Sequence, residues 1–288
     1  MIDLLTAPFV EFAFMRRALA GCVALSASAA PVGVFLTLRR MSLMSEAMSH
    51  AILPGAAVGF LVAGLSLPAM TLGGLIAGLA VALLSGFVAR STVLREDASL
   101  GAFYLLALAA GVLLISARGS SIDLLHILFG TVLALDDAAL MLLGGIATVS
   151  LLGLALAYRP LVLECVDPLF LRSVSRASAP VHYAFLGLVV LNLVGGFAAL
   201  GTLLAVGLML LPAVSARFWA VDVTGLIPVS IALALASSAI GLLVSYYGDL
   251  PSGPAIVLTA GALYLASMLL GIRGGLVWRL VPARHLEA

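Results

Sequence analysis

Residues 39–60 read RRMSLMSEAMSHAILPGAAVGF: two arginines, then an apolar run that carries Glu46 and His50 where a membrane helix would ordinarily carry leucines. A charged side chain at the centre of a bilayer costs ~2.5–3.5 kcal/mol on insertion scales, so such residues are rare in spans and usually face a partner or a pathway. Glu46 and His50 are four apart, which on a helix places their Cβ atoms on one face, roughly 5–6 Å from each other. A carboxylate and an imidazole so placed can reach the same small cation. With Arg40 at the membrane edge, His50 lies roughly 15 Å into a hydrocarbon core about 30 Å thick. Pro54 and Gly55 follow at once and weaken the helix beside the polar pair. The pair can satisfy itself inside a packed bundle, or it can line a cation path. The depth favours the path, because apolar residues would insert at lower cost.

The rest of the chain supplies the bilayer setting. Of 288 residues, 64% are hydrophobic and only 9% charged, with a mean hydropathy of +1.27, against about 25% charged in soluble domains. An all-α, polytopic transmembrane bundle in a single domain over residues 1–288 is the expectation. A net charge of +1 offers nothing to nucleic acid. Cys22 and Cys165 share no motif, and neither a disulfide nor a ligand role is expected of them.

Residues 1–17, broken by Asp3, Pro8 and Glu11, read as an interfacial segment, without the basic start or small-residue cleavage site of a signal peptide. Spans are expected at 18–38, 46–66, 68–89, 98–117 and 138–158, and the last two at about 226–246 and 253–272. Between them, 181–216 holds one long span or two short ones turning near Gly195 to Gly201. Charge chooses between these. With two spans, eleven arginines fall on one side and three (Arg16, Arg17 and Arg118) on the other; with one span the split is seven to seven. The positive-inside rule prefers two. About nine spans result, or eight if 181–216 is continuous, with the N-terminus outside and the C-terminus in the cytoplasm.

Smaller features have ordinary readings beside functional ones. Asp123 and His126, three apart in an outer loop, form a vestibule for a metal or a solvated pair. Asp136 and Asp137 suit a helix N-terminus. Residues 164–178 read as a short cytoplasmic helix that begins at Asp167-Pro168, a good helix start. There Phe170, Leu171 and Val174 lie on one side, and Arg172 on another. The chain has no lysine and no Gly-x-x-x-x-Gly-Lys-Ser/Thr stretch, so any ATP hydrolysis belongs to another subunit. No His-Glu-x-x-His and no serine-nucleophile motif is present, and an enzyme is not expected.

The segment 38–61, LRRMSLMSEAMSHAILPGAAVGFL, resembles the second-helix signature of the ABC-3 metal permeases, which usually read Gly-Asp-Ala-Leu-Ser-His there. On that likeness Glu46 takes the place of the family's aspartate and His50 that of its histidine; the glutamate keeps the charge on an arm one methylene longer. Residues 93–116 (VLREDASLGAFYLLALAAGVLLIS) resemble the permeases' charged cytoplasmic loop and fourth span, residues 120–137 (SSIDLLHILFGTVLALDD) their outward loop, and residues 245–258 (SYYGDLPSGPAIVL) their Tyr-Tyr-x-Asp-x-Pro-x-Gly turn. The resemblance implies the permease subunit of a type II ABC importer in the bacterial inner membrane. It also implies that the chain pairs with itself, that two ATP-binding subunits dock inside at residues such as Asp167, Phe170, Leu171, Arg172 and Val174, and that a periplasmic or extracellular metal-binding protein docks outside. No permanently bound cofactor is implied. The transported ion would be zinc first, manganese or iron second, along a path through Glu46 and His50. The alternative is an ATP-independent secondary metal transporter or cation channel, which would need no docking helix.

Overall fold

The computed structural model of the chain describes residues 2–64, 66–117, 132–167, 170, 171, 173, 175 and 178–277. Its elements among these are α1 (Ile2–Glu11), α2 (Ala13–Leu38), α3 (Ser42–Ala63), α4 (Leu67–Ser91), α5 (Glu96–Ala117), α6 (Asp137–Val166), α7 (Ser178–Leu200), α8 (Thr202–Ala216), α9 (Val223–Gly248) and α10 (Ser252–Leu270), with a 3-10 turn at Val132–Ala134 before α6. Eight of these helices are long and apolar enough to cross a membrane, and α8 is a shorter apolar helix.

Helices α2 and α7 are the innermost. Small residues let them be so. A Cβ on Gly33 of α2 would overlap the carbonyl of Met209 in α8, and Cβ atoms on Gly55 of α3 and Gly73 of α4 would each overlap the other's carbonyl. In a bilayer, where the hydrophobic effect does not draw helices together, such close backbone approach supplies the packing. Buried polar side chains add to it: Asn192 of α7 donates to Ser150 Oγ of α6 and to Leu188 O, both at 2.8 Å.

The stretch 181–216 is two helices. Gly201, between α7 and α8, has φ 97°, a backbone region open mainly to glycine. A Cβ on Gly196 would collide with that of Ala205, though nine residues of continuous helix would hold them roughly 13 Å apart. The chain therefore folds back at Gly201, and α8, about 22 Å long at 1.5 Å per residue, is shorter than the membrane core.

The ends of the helices sort as the arginine distribution predicts. Val34, near the Arg39 end of α2, packs with Ala213 and Ala216 at the end of α8. Arg273 N–H, after α10, donates to Phe218 O at 2.9 Å. At the opposite end Arg17 pairs with Asp137 at 3.0 Å, and Phe12 meets Tyr246 with ring centroids 5.7 Å apart. Arg39, Arg217 and Arg273 thus share one end of the bundle.

Several boundaries differ from expectation: α2 begins at Ala13, so residues 13–17 belong to it and not to the interfacial segment, and α3 runs from Ser42 to Ala63 instead of 46–66. The fifth span does not stop at Tyr158: α6 runs on through Pro160 to Val166, so residues 164–166 belong to it and not to a separate surface helix. Tertiary packing overrides the proline, since Leu161 and Glu164 are buried against the other helices. Pro54 lies inside α3, which is helical from Ser42 to Ala63; the proline ring fills the space beside Gly111 of α5.

A candidate metal path and a charged clasp at the arginine-rich end

Chain entry into α3 is tightly fixed. Arg40 N–H donates to Thr37 O at 3.2 Å and Met41 N–H to Leu36 O at 2.9 Å, the paired bonds of a Schellman ending. Arg40 takes the left-handed position with φ 59°. Three residues therefore separate α2 from α3, and Glu46 follows within the second turn of the new helix.

Glu46 Oε1 and His50 Nε2 are 3.2 Å apart. Two ligands on one ion, at bond lengths of ~2.0–2.2 Å and tetrahedral or octahedral angles, stand roughly 3.0–3.5 Å from each other, so the pair is already spaced to share a cation. The ring of His50 stacks on Tyr104 of α5, centroids 6.3 Å apart, and Ser49 Oγ donates to Glu46 O at 2.7 Å. The side chains are not sealed in: Glu46 is 61% exposed and His50 35%. They line a cleft of about 260 Å³ whose other wall is Thr202, Leu203, Val206 and Leu210 of α8, with Val257 of α10. An ionisable pair is thus held open on the flank of a spanning helix.

The second candidate region begins where α6 ends. Phe170 N–H donates to Asp167 Oδ1 at 2.9 Å, and Leu171 N–H to Asp167 O at 3.2 Å. Asp167 therefore caps a helical turn, as Asp-Pro predicts. Phe170 is 52% exposed, but Leu171 is only 5% exposed. The expected grouping of the two on one open face is wrong, because adjacent residues on a turn point about 100° apart and Leu171 turns into its own protein. Val166, at i−4 from Phe170, is exposed in its stead. Arg172 and Val174 lie outside the described residues, as do Asp123 and His126 of the outer loop. Asp136 Oδ1 accepts from Ala139 N–H at 2.8 Å and caps α6, and both Cys22 and Cys165 are free thiols.

A third cluster was not legible in the sequence. At the arginine-rich end, five helix termini bring together Arg39 (α2), Arg90 (α4), Glu96 (α5), Glu164 (α6) and His182 (α7). Arg39 Nη2 lies 3.1 Å from Glu164 Oε1 and 2.7 Å from His182 Nδ1. Since a guanidinium only donates, Nδ1 is the acceptor. Arg90 Nη2 is 3.7 Å from the same Glu164 oxygen. His182 Nε2 lies 3.0 Å from Glu96 Oε1. The arginines are also backed by rings, Arg39 over Phe185 at 5.0 Å and Arg90 over Tyr183 at 5.5 Å. The cluster borders a cavity of about 510 Å³. Partners 143 residues apart, such as Arg39 and His182, leave no local pattern; the only signal is that charged residues recur at the ends of spans. Among the described residues, no group of three or more His, Cys, Asp or Glu side chains is placed to hold a metal ion.

A polytopic helical bundle with an open ionisable pair inside a span is the architecture of a membrane transport subunit. Comparison with known proteins makes that specific. The model of the ABC-3 transport family matches residues 11–271. The manganese import system permease protein ScaB of Streptococcus parasanguinis is 33% identical over 260 residues, covering 90% of this chain and 91% of that protein. A probable iron transport system membrane protein of Haemophilus influenzae is 29% identical over 268 residues, 93% of this chain and 97% of its own. Among solved structures, PsaBC from Streptococcus pneumoniae in complex with Fab superposes with a TM-score of 0.83 at 30% identity, over 97% of this chain and all of that one. The chain belongs to the ABC-3 transport family: it is a multi-pass permease of a metal ABC transporter, set in the bacterial plasma membrane.

Proposed function

We propose that this permease carries a divalent first-row metal inward, manganese first and iron second, along a path lined by Glu46 and His50 from each of two copies, with ATP hydrolysed on separate subunits. The observation that carries the reading is the Glu46–His50 pair, 3.2 Å apart and open on the flank of α3. Facing lipid, such groups would be costly. A second copy about a two-fold axis covers them and brings a second pair, since such an interface uses the same patch on both partners. Two carboxylates and two imidazoles then surround the axis. Four such ligands would complete a tetrahedral zinc site, but with no thiolate they also suit manganese or iron(II), completed by water. The relatives named for manganese and iron favour those ions over zinc, the ion first inferred from the sequence.

By the positive-inside rule the arginine-rich end is cytoplasmic. The ATP-binding subunits dock there on the turn that Asp167 caps, with Phe170 and Val166 as the exposed apolar anchors. A soluble metal-binding protein delivers the ion at the opposite face, where Asp123 and His126 are candidates for a vestibule. The test is metal uptake by proteoliposomes that contain the permease with and without its ATP-binding subunits. Manganese uptake is expected only with both subunits and ATP, with iron(II) a stronger competitor than zinc. Uptake by the permease alone, driven by a gradient, would establish the secondary-transporter reading instead.

A further inference from the structure

The clasp at the arginine-rich end has more donors and acceptors than its pairing uses. Arg39 Nη1, Arg90 Nε and Glu164 Oε2 are buried with no hydrogen-bond partner in the chain. Buried polar groups are normally paired, so unused ones call for a further partner, water in the adjoining cavity or a second arrangement of the side chains. Glu164 is where the rearrangement would occur. Its Oε1 is held by Arg39 at 3.1 Å and approached by Arg90 at 3.7 Å, and the adjoining cavity gives room for a shift.

The two arginines close different helices. Arg39 caps α2, which leads through a three-residue link into α3 and is locked against α8 at Gly33, whereas Arg90 ends α4, locked against α3 at Gly55 and Gly73. The cleft beside Glu46 and His50 has α3 as one wall and α8 as the other. Glu164 itself is three residues before Asp167, which caps the exposed turn carrying Phe170.

We infer that Glu164 is a coupling residue. It passes displacement of the Asp167–Phe170 turn to the α3–α8 cleft by exchanging its carboxylate between Arg39 and Arg90. A two-state element of this kind is what physical coupling between distant sites requires. The inference rests on the reading that ATP-binding subunits dock at this turn.

The experiment uses the permease reconstituted with its ATP-binding subunits, and reads manganese taken up per ATP hydrolysed. Coupling between sites typically corresponds to 5–150-fold effects, so Glu164→Gln should lower this ratio by about tenfold while assembly and ATP hydrolysis continue. Glu164→Asp should restore part of it. Should Glu164→Gln fail to assemble, Arg90→Gln decides: it removes the 3.7 Å approach to Glu164 and the contact with the Tyr183 ring, and leaves the 3.1 Å Arg39 pair intact; Tyr183→Leu, which removes the ring contact alone, is the control. A merely structural clasp would tolerate Arg90→Gln, whereas an exchange between arginines would not. An unchanged ratio in an assembled Arg90→Gln or Glu164→Gln complex overturns the coupling role alone. Absence of ATP-driven uptake in the wild-type assembly overturns the docking reading, and this inference with it.

Discussion

Gly55 and Gly73 lack side chains because α3 and α4 leave no room for them; a Cβ on either would overlap the other's backbone carbonyl. Forcing extra atoms into a packed interior costs about 1–3 kcal/mol. Gly55→Val should therefore lower the thermal unfolding midpoint of the detergent-solubilised protein, whereas Gly145→Ala, with open space around its Cβ, should leave it unchanged. Equal midpoints for the two would contradict the close approach. Neighbouring residues at the docking turn separate in the same way. Phe170→Asp should abolish binding of the ATP-binding subunits in a pull-down but preserve the midpoint, because Phe170 is exposed; Leu171→Asp should lower the midpoint, because Leu171 is buried. At this scale the sequence was informative where the relation is local. Four-residue spacing predicts the Glu46–His50 contact, and Asp-Pro predicts the Asp167 cap. Leu171 points about 100° away from Phe170 around the turn, and local sequence does not say which of the two directions meets the protein. The clasp was invisible for a related reason: Glu164, Arg39 and His182 come from three helices with no common motif.

At the level of elements, the apolar runs and the arginine pattern locate the spans, because bilayer thickness and charge bias act on every segment alike. What they leave unsettled is how far a helix continues beyond the membrane core. Helix α6 runs to Val166 because Leu161 and Glu164 have burial partners, and packing is not written in local composition. The turn at Gly201 carries a direct consequence. Helix α9 is 26 residues, about 39 Å at 1.5 Å per residue, so Arg217 before it and Asp249 after it face opposite sides of the membrane. Cysteines placed at these positions should be labelled by an impermeant maleimide from outside only at 249. Labelling at 217 from outside would contradict both the turn and the assigned orientation.

For the molecule as a whole, the proposed coupling joins the two regions of interest. The exposed turn at Phe170 adjoins Glu164 and the clasp. From the clasp, α2 and α4 lead to the walls of the cleft that holds Glu46 and His50. The ABC-3 family defines what the molecule is; the open pair in α3 is what the proposed passage of metal depends on. The most direct measurement is the initial rate of ATP-driven radiolabelled manganese uptake by reconstituted assemblies of wild type, His50→Ala, Glu46→Gln and Glu46→Asp, with ATP hydrolysis followed in the same vesicles. His50→Ala and Glu46→Gln should fall to the level of protein-free vesicles while still assembling and hydrolysing ATP, and Glu46→Asp, which keeps the carboxylate, should retain uptake. Wild-type uptake by His50→Ala would show that the pair only holds the bundle together and that the metal takes another route.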